Sequence, residues 1–295
     1  MESSTQTIST ANWLSAPKYD VAVILPTRKR SDMLDSSLMS LLDNAADPSR
    51  IQILVAFDSD DQASLEYFRN NIAPKIDQAG AGWMAVEFPR YGYGRLHEYL
   101  NQLSELTSAH WIFVWNDDAQ MLSKDWDLRI SENNGEFKCL RIPTHNCHPY
   151  AIFPILPREW YLLFGYLSLH QLSDAWVSQI CYILGIMKNI DVDVIHDRHD
   201  LTGNNKDETF EQRVIYEANP QDPKDFNYVE ARKRRFKDAT RLAWFLQQRG
   251  EDVSWFERVL AGEQDPWEIM MSPEFDPNKQ IAFVKPTGER YYDKG

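Results

Sequence analysis

Asn116, Asp117 and Asp118 directly follow the apolar run 111–115. Five large apolar residues in a row read as a strand buried on both faces. Such a strand has no use for carboxylates, so the pair must project from its C-terminal tip, the edge of an open α/β sheet where ligands bind. Oxygen donors there can hold a hard divalent cation, and the cation can hold a diphosphate. The competing reading is a turn or a helix cap, roles that suit Asp and Asn equally. A second acidic cluster, Asp58, Asp60 and Asp61, ends the run 51–57. Asp174, after Ser173, opens a helical pattern; it can remove a proton from a substrate or merely stabilise the helix N-terminus. His196 and His199, flanked by Asp197 and Asp200, can complete a metal shell or grip phosphates, or can be satisfied structural histidines. Arg28, Lys29 and Arg30 stand at a further strand tip, where cations can meet phosphates. Arg95 and His97 follow a Gly-Tyr-Gly turn and add cationic candidates, while Tyr91 and Tyr93 could stack on a base or a sugar.

The elements that must position these groups alternate. Residues 21–25 form a short β-rich run stopped by Pro26, and Ser31 can cap a following helix with Leu34, Leu38, Leu41 and Leu42 on one face. Strand 51–57, helix 62–75, a weaker strand 84–88, helix 96–106 and strand 111–115 follow. This β-α-β-α-β-α-β order predicts an α/β fold with a mainly parallel sheet, right-handed crossovers and helices on both faces. Four prolines make 137–160 irregular. A helix is expected over 173–188, then an alternating strand over 190–195, with Asp191 and Asp193 facing solvent. Helices at 226–249 and 254–260 form a small C-terminal extension, and the last thirty residues read as a loosely structured tail. The expected organisation is a flexible tail over 1–18, the main domain over 19–220 and the helical extension over 221–295.

The composition limits the function classes. A net charge of −13 disfavours a protein that relies on broad phosphate contact with nucleic acid. A local basic patch, 232–237, lies on the 226–249 helix with Phe236, Ala239, Ala243 and Leu246 on its apolar face. It reads as a solvated basic face or as a site for an anionic acceptor. No secretory signal or membrane span is visible, and the three cysteines form no CxxC pair, which predicts reduced thiols in a cytoplasmic protein. His145, Cys147 and His148 lack the second ligand pair of a structural zinc site.

Taken in order, these segments resemble a glycosyltransferase of the GT-A fold, nearest the inverting family-two type, over about residues 19–215. Residues 23–28 resemble its opening strand and Pro-Thr turn, and residues 55–61 its second strand, whose terminal Asp contacts the nucleotide base. Asn116, Asp117 and Asp118 stand in place of its Asp-x-Asp motif, and residues 173–176 resemble the segment carrying the catalytic base. His196 to His199, with Asp207 and Thr209, resemble a signature of some bacterial and phage-encoded members. The resemblance implies a nucleotide-diphosphate sugar donor, a divalent metal (Mn²⁺ or Mg²⁺), Asp174 as general base, and Asp118 with His196 or His199 at the metal. It places the donor against Pro26, Thr27, Arg28, Asp58, Asn116 and Asp117, with Arg95 as a further candidate. Asn116 in place of Asp, and the lack of Asp-Gly-Ser after the second strand, depart from the pattern. The acceptor stays open among glycans, proteins, small molecules and a hydroxymethylated DNA base. A nucleotidyltransferase is a rival, although Pro26, Thr27 and Arg28 offer none of its glycines; a catalytically silent nucleotide-sugar-binding module and an interaction protein are others.

Overall fold

The computed structural model describes residues 17–143, 150–198, 203, 206–218 and 229–264. Apolar runs rich in β-branched residues form the central strands, as their stiff side chains favour. Strands β1 (Val21–Thr27), β2 (Ile51–Asp58), β3 (Gly82–Phe88) and β4 (Trp111–Val114) run parallel in the spatial order β3-β2-β1-β4. They are linked by α1 (Ser31–Asn44), by α2 (Gln62–Tyr67) and α3 (Ala73–Ala79) joined through a π turn, and by α4 (Leu96–Glu105). The alternating α/β order predicted for residues 21–115 is present.

Beyond β4 come β5 (Ala119–Met121), α5 (Trp126–Ser131), β6 (Cys139–Arg141), β7 (Ile155–Pro157), α6 (Arg158–Phe164), α7 (Ser173–Leu184), β8 (Met187–Asn189) and β9 (Val194–His196). Strand β7 lies antiparallel between β4 and β6, and β8 pairs parallel with β6, completing a seven-stranded, mostly parallel sheet among the described residues. Strands β5 and β9 form a separate antiparallel ribbon with Ala119 opposite His196. Three further helices follow, α8 (Glu208–Ala218), α9 (Val229–Gln248) and α10 (Ser254–Leu260).

The central strands of the sheet are buried on both faces, and β1 shows how. Val21, Val23 and Leu25 enter one apolar layer with α1, α2, α3 and α5, while Ala22 and Ile24 enter the other with α4, α6 and α7. Successive strand side chains point to opposite faces, so a strand covered on both sides must be apolar throughout. Ala239, Leu242, Ala243 and Leu246 of α9, with Phe256 of α10, join that second layer, so these helices share the sheet's core. Among the described residues no helix is long and apolar enough to cross a membrane.

Several local expectations are corrected. Ser31 is the first residue of α1 rather than its cap; the capping position is Arg30, with no side-chain cap bond. Helix α7 stops at Leu184 because Gly185 takes a left-handed conformation (φ 65°), as helix-ending glycines do. In 190–195 the alternation is real, with Ile190, Val192 and Val194 buried, but pairing begins only at Val194. The irregular segment 137–160 holds two three-residue strands, and α6 follows directly on Pro157. His145, Cys147, His148, His199 and the C-terminal tail lie outside the described residues.

Candidate active site

The four parallel strands end on one rim. Their last residues, Thr27, Asp58, Phe88 and Val114, deliver the turns after them to a common crevice. A cavity of about 440 Å³ opens there. Pro26, Thr27, Arg28 and Arg30 line it from the β1 turn, Asp58 from β2, and Asn116, Asp117 and Asp118 from the β4 tip. Asp174 joins them from the first turn of α7, and His196 from β9. Residues far apart in sequence thus meet where an open α/β sheet binds ligands.

Two features bring His196 to Asp118. The β5–β9 ribbon sets His196 opposite Ala119, and the backbone N–H of Asp197 donates to the Asp118 carbonyl at 2.7 Å. The imidazole Nε2 then lies 3.1 Å from Asp118 Oδ1 and 3.2 Å from Asn116 Nδ2. The contact to Asp118 is at ion-pair distance, and no hydrogen bond from another described residue reaches its buried Oδ1. His196 Nδ1 is likewise buried without a partner, and the ring packs edge-on against Phe153. Asp118 and His196 both line the cavity, and a carboxylate oxygen and an imidazole nitrogen this close are suited to serve as two ligands of a divalent cation. Among the described residues no third His, Cys, Asp or Glu completes a cluster, so further ligands would come from elsewhere, such as substrate phosphates.

Asp117 is occupied differently. Thr27 Oγ1 donates to its Oδ2 at 2.7 Å and Arg30 to its Oδ1 at 2.8 Å. Burial pushes the Asp117 carboxyl up, only partly opposed by Arg30, and Asp118 adds to the rise. Asp118 is held down at about 2: burial works against its charge, but the His196 imidazole and the guanidinium of Arg30 outweigh it. Arg30 also chelates Asp207, just before α8, through Nε at 2.5 Å and a terminal nitrogen at 2.9 Å. Despite burial, these carboxylates raise the Arg30 guanidinium above its ordinary value. Lys29, beside it, is held at φ 53°, a left-handed conformation that costs a non-glycine residue on the order of 1 kcal/mol. Its backbone N–H is tied to Asp61 at 2.7 Å, which fixes the turn.

Asp58 is bound on both oxygens, by Arg28 at 3.0 Å and by the Tyr99 hydroxyl. Burial first, and then Asp58, pushes the Tyr99 phenol up to about 12. Asp174 makes no hydrogen bond or ion pair with another described residue. The turn before α7 is held instead by Ser173 Oγ and His170, and Leu172 occupies the capping position. The carboxylate is therefore not spent on capping.

Arg95 does not line the cavity. Its guanidinium packs on the Tyr91 ring at 4.7 Å and bonds Glu98 at 3.2 Å, an exposed i,i+3 pair. The basic patch on α9 is also not uniformly solvated. Arg235 is buried, 5.3 Å over the Trp176 ring of α7, and burial lowers its guanidinium to about 10. Sequence reasoning gave no separate role to Arg30, Tyr99, Arg90 or Glu208. The position of Arg30, one residue before a helix at a strand tip, is the only available signal.

A scan of protein-family models finds no match, and a search of curated proteins finds none either. Among solved structures, the chain is similar to the mannosyltransferase PcManGT from Pyrobaculum calidifontis in complex with GDP-Man and Mn²⁺. The TM-score is 0.53 at 12% identity, covering 89% of this chain and 83% of that one. This chain shares a mannosyltransferase's fold. A weaker likeness, with a TM-score of 0.44 at 12% identity, links it to S. aureus TarS 1–349 in complex with UDP, over 82% of this chain and 92% of that one. The expected α/β architecture, a mainly parallel sheet flanked by helices, is thus present.

Proposed function

We propose that this chain transfers a sugar, with inversion, from a nucleotide-diphosphate donor to an acceptor hydroxyl in a metal-dependent reaction. One observation carries the reading: the carboxylate of Asp118 beside the imidazole of His196, and the uncommitted carboxylate of Asp174, line one cavity at the sheet rim. The shared fold supports it, since PcManGT is described in complex with GDP-Man and Mn²⁺.

Asp118 and His196 would hold a divalent cation, Mn²⁺ or Mg²⁺, with His199 a further candidate ligand. That ion would neutralise charge developing on the departing diphosphate. Asn116 would contact the ribose, and Asp58, with Pro26, Thr27 and Arg28, the nucleotide. Asp117, held by Thr27 and Arg30, would position the loop that presents Asp118. Asp174 takes the proton from the acceptor hydroxyl as that oxygen bonds to the anomeric carbon. The anomeric carbon–oxygen bond to phosphate breaks on the opposite face, and the electron pair leaves with the nucleoside diphosphate.

The acceptor is any molecule whose hydroxyl reaches Asp174, a hydroxymethylated DNA base among the classes the reading admits. The net charge of −13 disfavours any docking mode that needs long phosphate contact. The direct test is Asp174→Asn, assayed with nucleotide sugars and an acceptor panel. Turnover should fall roughly 10²–10⁴-fold while donor affinity holds. Near-wild-type turnover removes Asp174 from the chemistry. Donor binding with no transfer by the wild-type chain to any acceptor would favour a silent nucleotide-sugar-binding module.

A further inference from the structure

The first turn of α8 places an exposed carboxylate among cations of the rim. Glu208 Oε2 accepts from Lys29 Nζ at 2.8 Å, its Oε1 accepts from Arg90 at 2.8 Å, and Oε1 lies 3.8 Å from Arg28 Nε. Lys29 and Arg28 belong to the turn after β1 and Arg90 to the segment after β3, so one side chain gathers charges from two strand tips. Arg28 and Arg90 line the cavity. Arg28 Nε is buried and has no hydrogen-bond acceptor among the described residues. Its neighbour Asp207 is committed differently, to the largely buried Arg30 that also holds Asp117.

Asp60 shares this cluster, chelating Arg28 and lying 3.6 Å from Arg90, and Asp58 also accepts from Arg28. Glu208 is the carboxylate that reaches all three cations, and a diphosphate brings more charge and more oxygens than it does. We propose that Glu208 is an internal competitor for the donor's phosphates, occupying the Arg28, Lys29 and Arg90 cluster until a diphosphate displaces it. This rests on the donor reading above and adds a selectivity device to it. Weakly charged anions fail to displace Glu208, while polyphosphate anions succeed. Asp207 stays on Arg30 throughout, so only the exposed member of the pair exchanges.

Calorimetric titration of the full chain with inorganic pyrophosphate, UDP and GDP, each with Mn²⁺ or Mg²⁺ present at low ionic strength, tests the competition. Glu208→Gln should bind pyrophosphate roughly two- to fivefold more tightly than wild type, the range that freeing exposed ion pairs covers, and added salt should narrow the gap. Glu211→Gln, one turn further along the same helix, should match wild type. Equal or weaker pyrophosphate binding by Glu208→Gln overturns the competition and leaves the donor reading standing, provided UDP or GDP binds. An equal gain in Glu211→Gln also overturns it, because the effect is then long-range charge. Failure of all three probes to bind any of the proteins overturns both this inference and the donor reading.

Discussion

Arg30 touches Asp117 and Asp207 directly and lies 3.6 Å from Asp118, so one guanidinium lets two adjacent buried carboxylates coexist. Asp207 is the outer end of this arrangement. Burial works against its charge, but Arg30 and the backbone N–H of Phe210 more than offset that and lower its carboxyl below the ordinary range. A carboxylate lowered in the folded state stabilises the fold above its unfolded value of about 3.9, and that contribution is lost as pH falls through the folded value. Asp207→Asn should therefore be less stable than wild type by about 1–2 kcal/mol at pH 7, and the gap should close below about pH 4. Denaturant unfolding at both pH values checks this; a gap that persists in acid would assign the loss to packing. None of this was legible in the sequence. Asp117 and Asp118 announced themselves by ending an apolar run, but Arg30 sits in a run of three basic residues that reads as a set of cations for phosphates, not as a partner of buried carboxylates. Its partners come from positions 87, 88 and 177 residues away, and only the fold brings them together.

At the scale of elements, the parallel strands and their helices were legible because β1, β2 and β4 are continuous apolar runs, a pattern that burial on both faces demands, while the half-exposed β3 gave the weaker signal. Strands β5 to β9 were less so, since three residues carry too little pattern to separate strand from loop; of these, only β9 overlaps a predicted strand. Helix α6 was hidden inside an apolar stretch whose prolines argued for irregularity, although Pro157 immediately precedes it. Helix α9 shows a different failure. Its run of basic residues reads as one solvated face, yet Arg235 lies on the buried side against Trp176, on the helix that presents Asp174. Arg235→Glu should therefore cost at least about 3 kcal/mol by burying an uncompensated charge, and activity should fall with stability. Lys237→Glu, on the exposed side of the same helix, should change stability by no more than about 0.5 kcal/mol. Thermal denaturation of both variants decides it: equal, small shifts would mean that the basic face is solvated after all.

For the molecule as a whole, the chain is acidic overall yet gathers Arg28, Arg30, Arg90, Arg198 and Arg213 around one cavity. Several of these guanidiniums are already paired with carboxylates, Arg28 with Asp58 and Asp60 and Arg30 with Asp117 and Asp207. The site thus offers a compact set of cations to a small anionic ligand rather than a broad basic surface to a long polyanion. The fold shared with a mannosyltransferase places that cavity where an open sheet presents ligands. The central claim is that Asp118 and His196 couple a divalent cation to a nucleotide-sugar donor in this cavity. Thermal unfolding of wild type and Asp118→Asn, with GDP-mannose and a panel of UDP-sugars, with and without Mn²⁺, tests it most directly. At least one donor should stabilise the wild-type chain in Mn²⁺ by about 3 kcal/mol at a hundredfold excess over Kd, and Asp118→Asn should lose that increment. No stabilisation by any nucleotide sugar with Mn²⁺, or full stabilisation of the Asp118→Asn variant, would contradict the account.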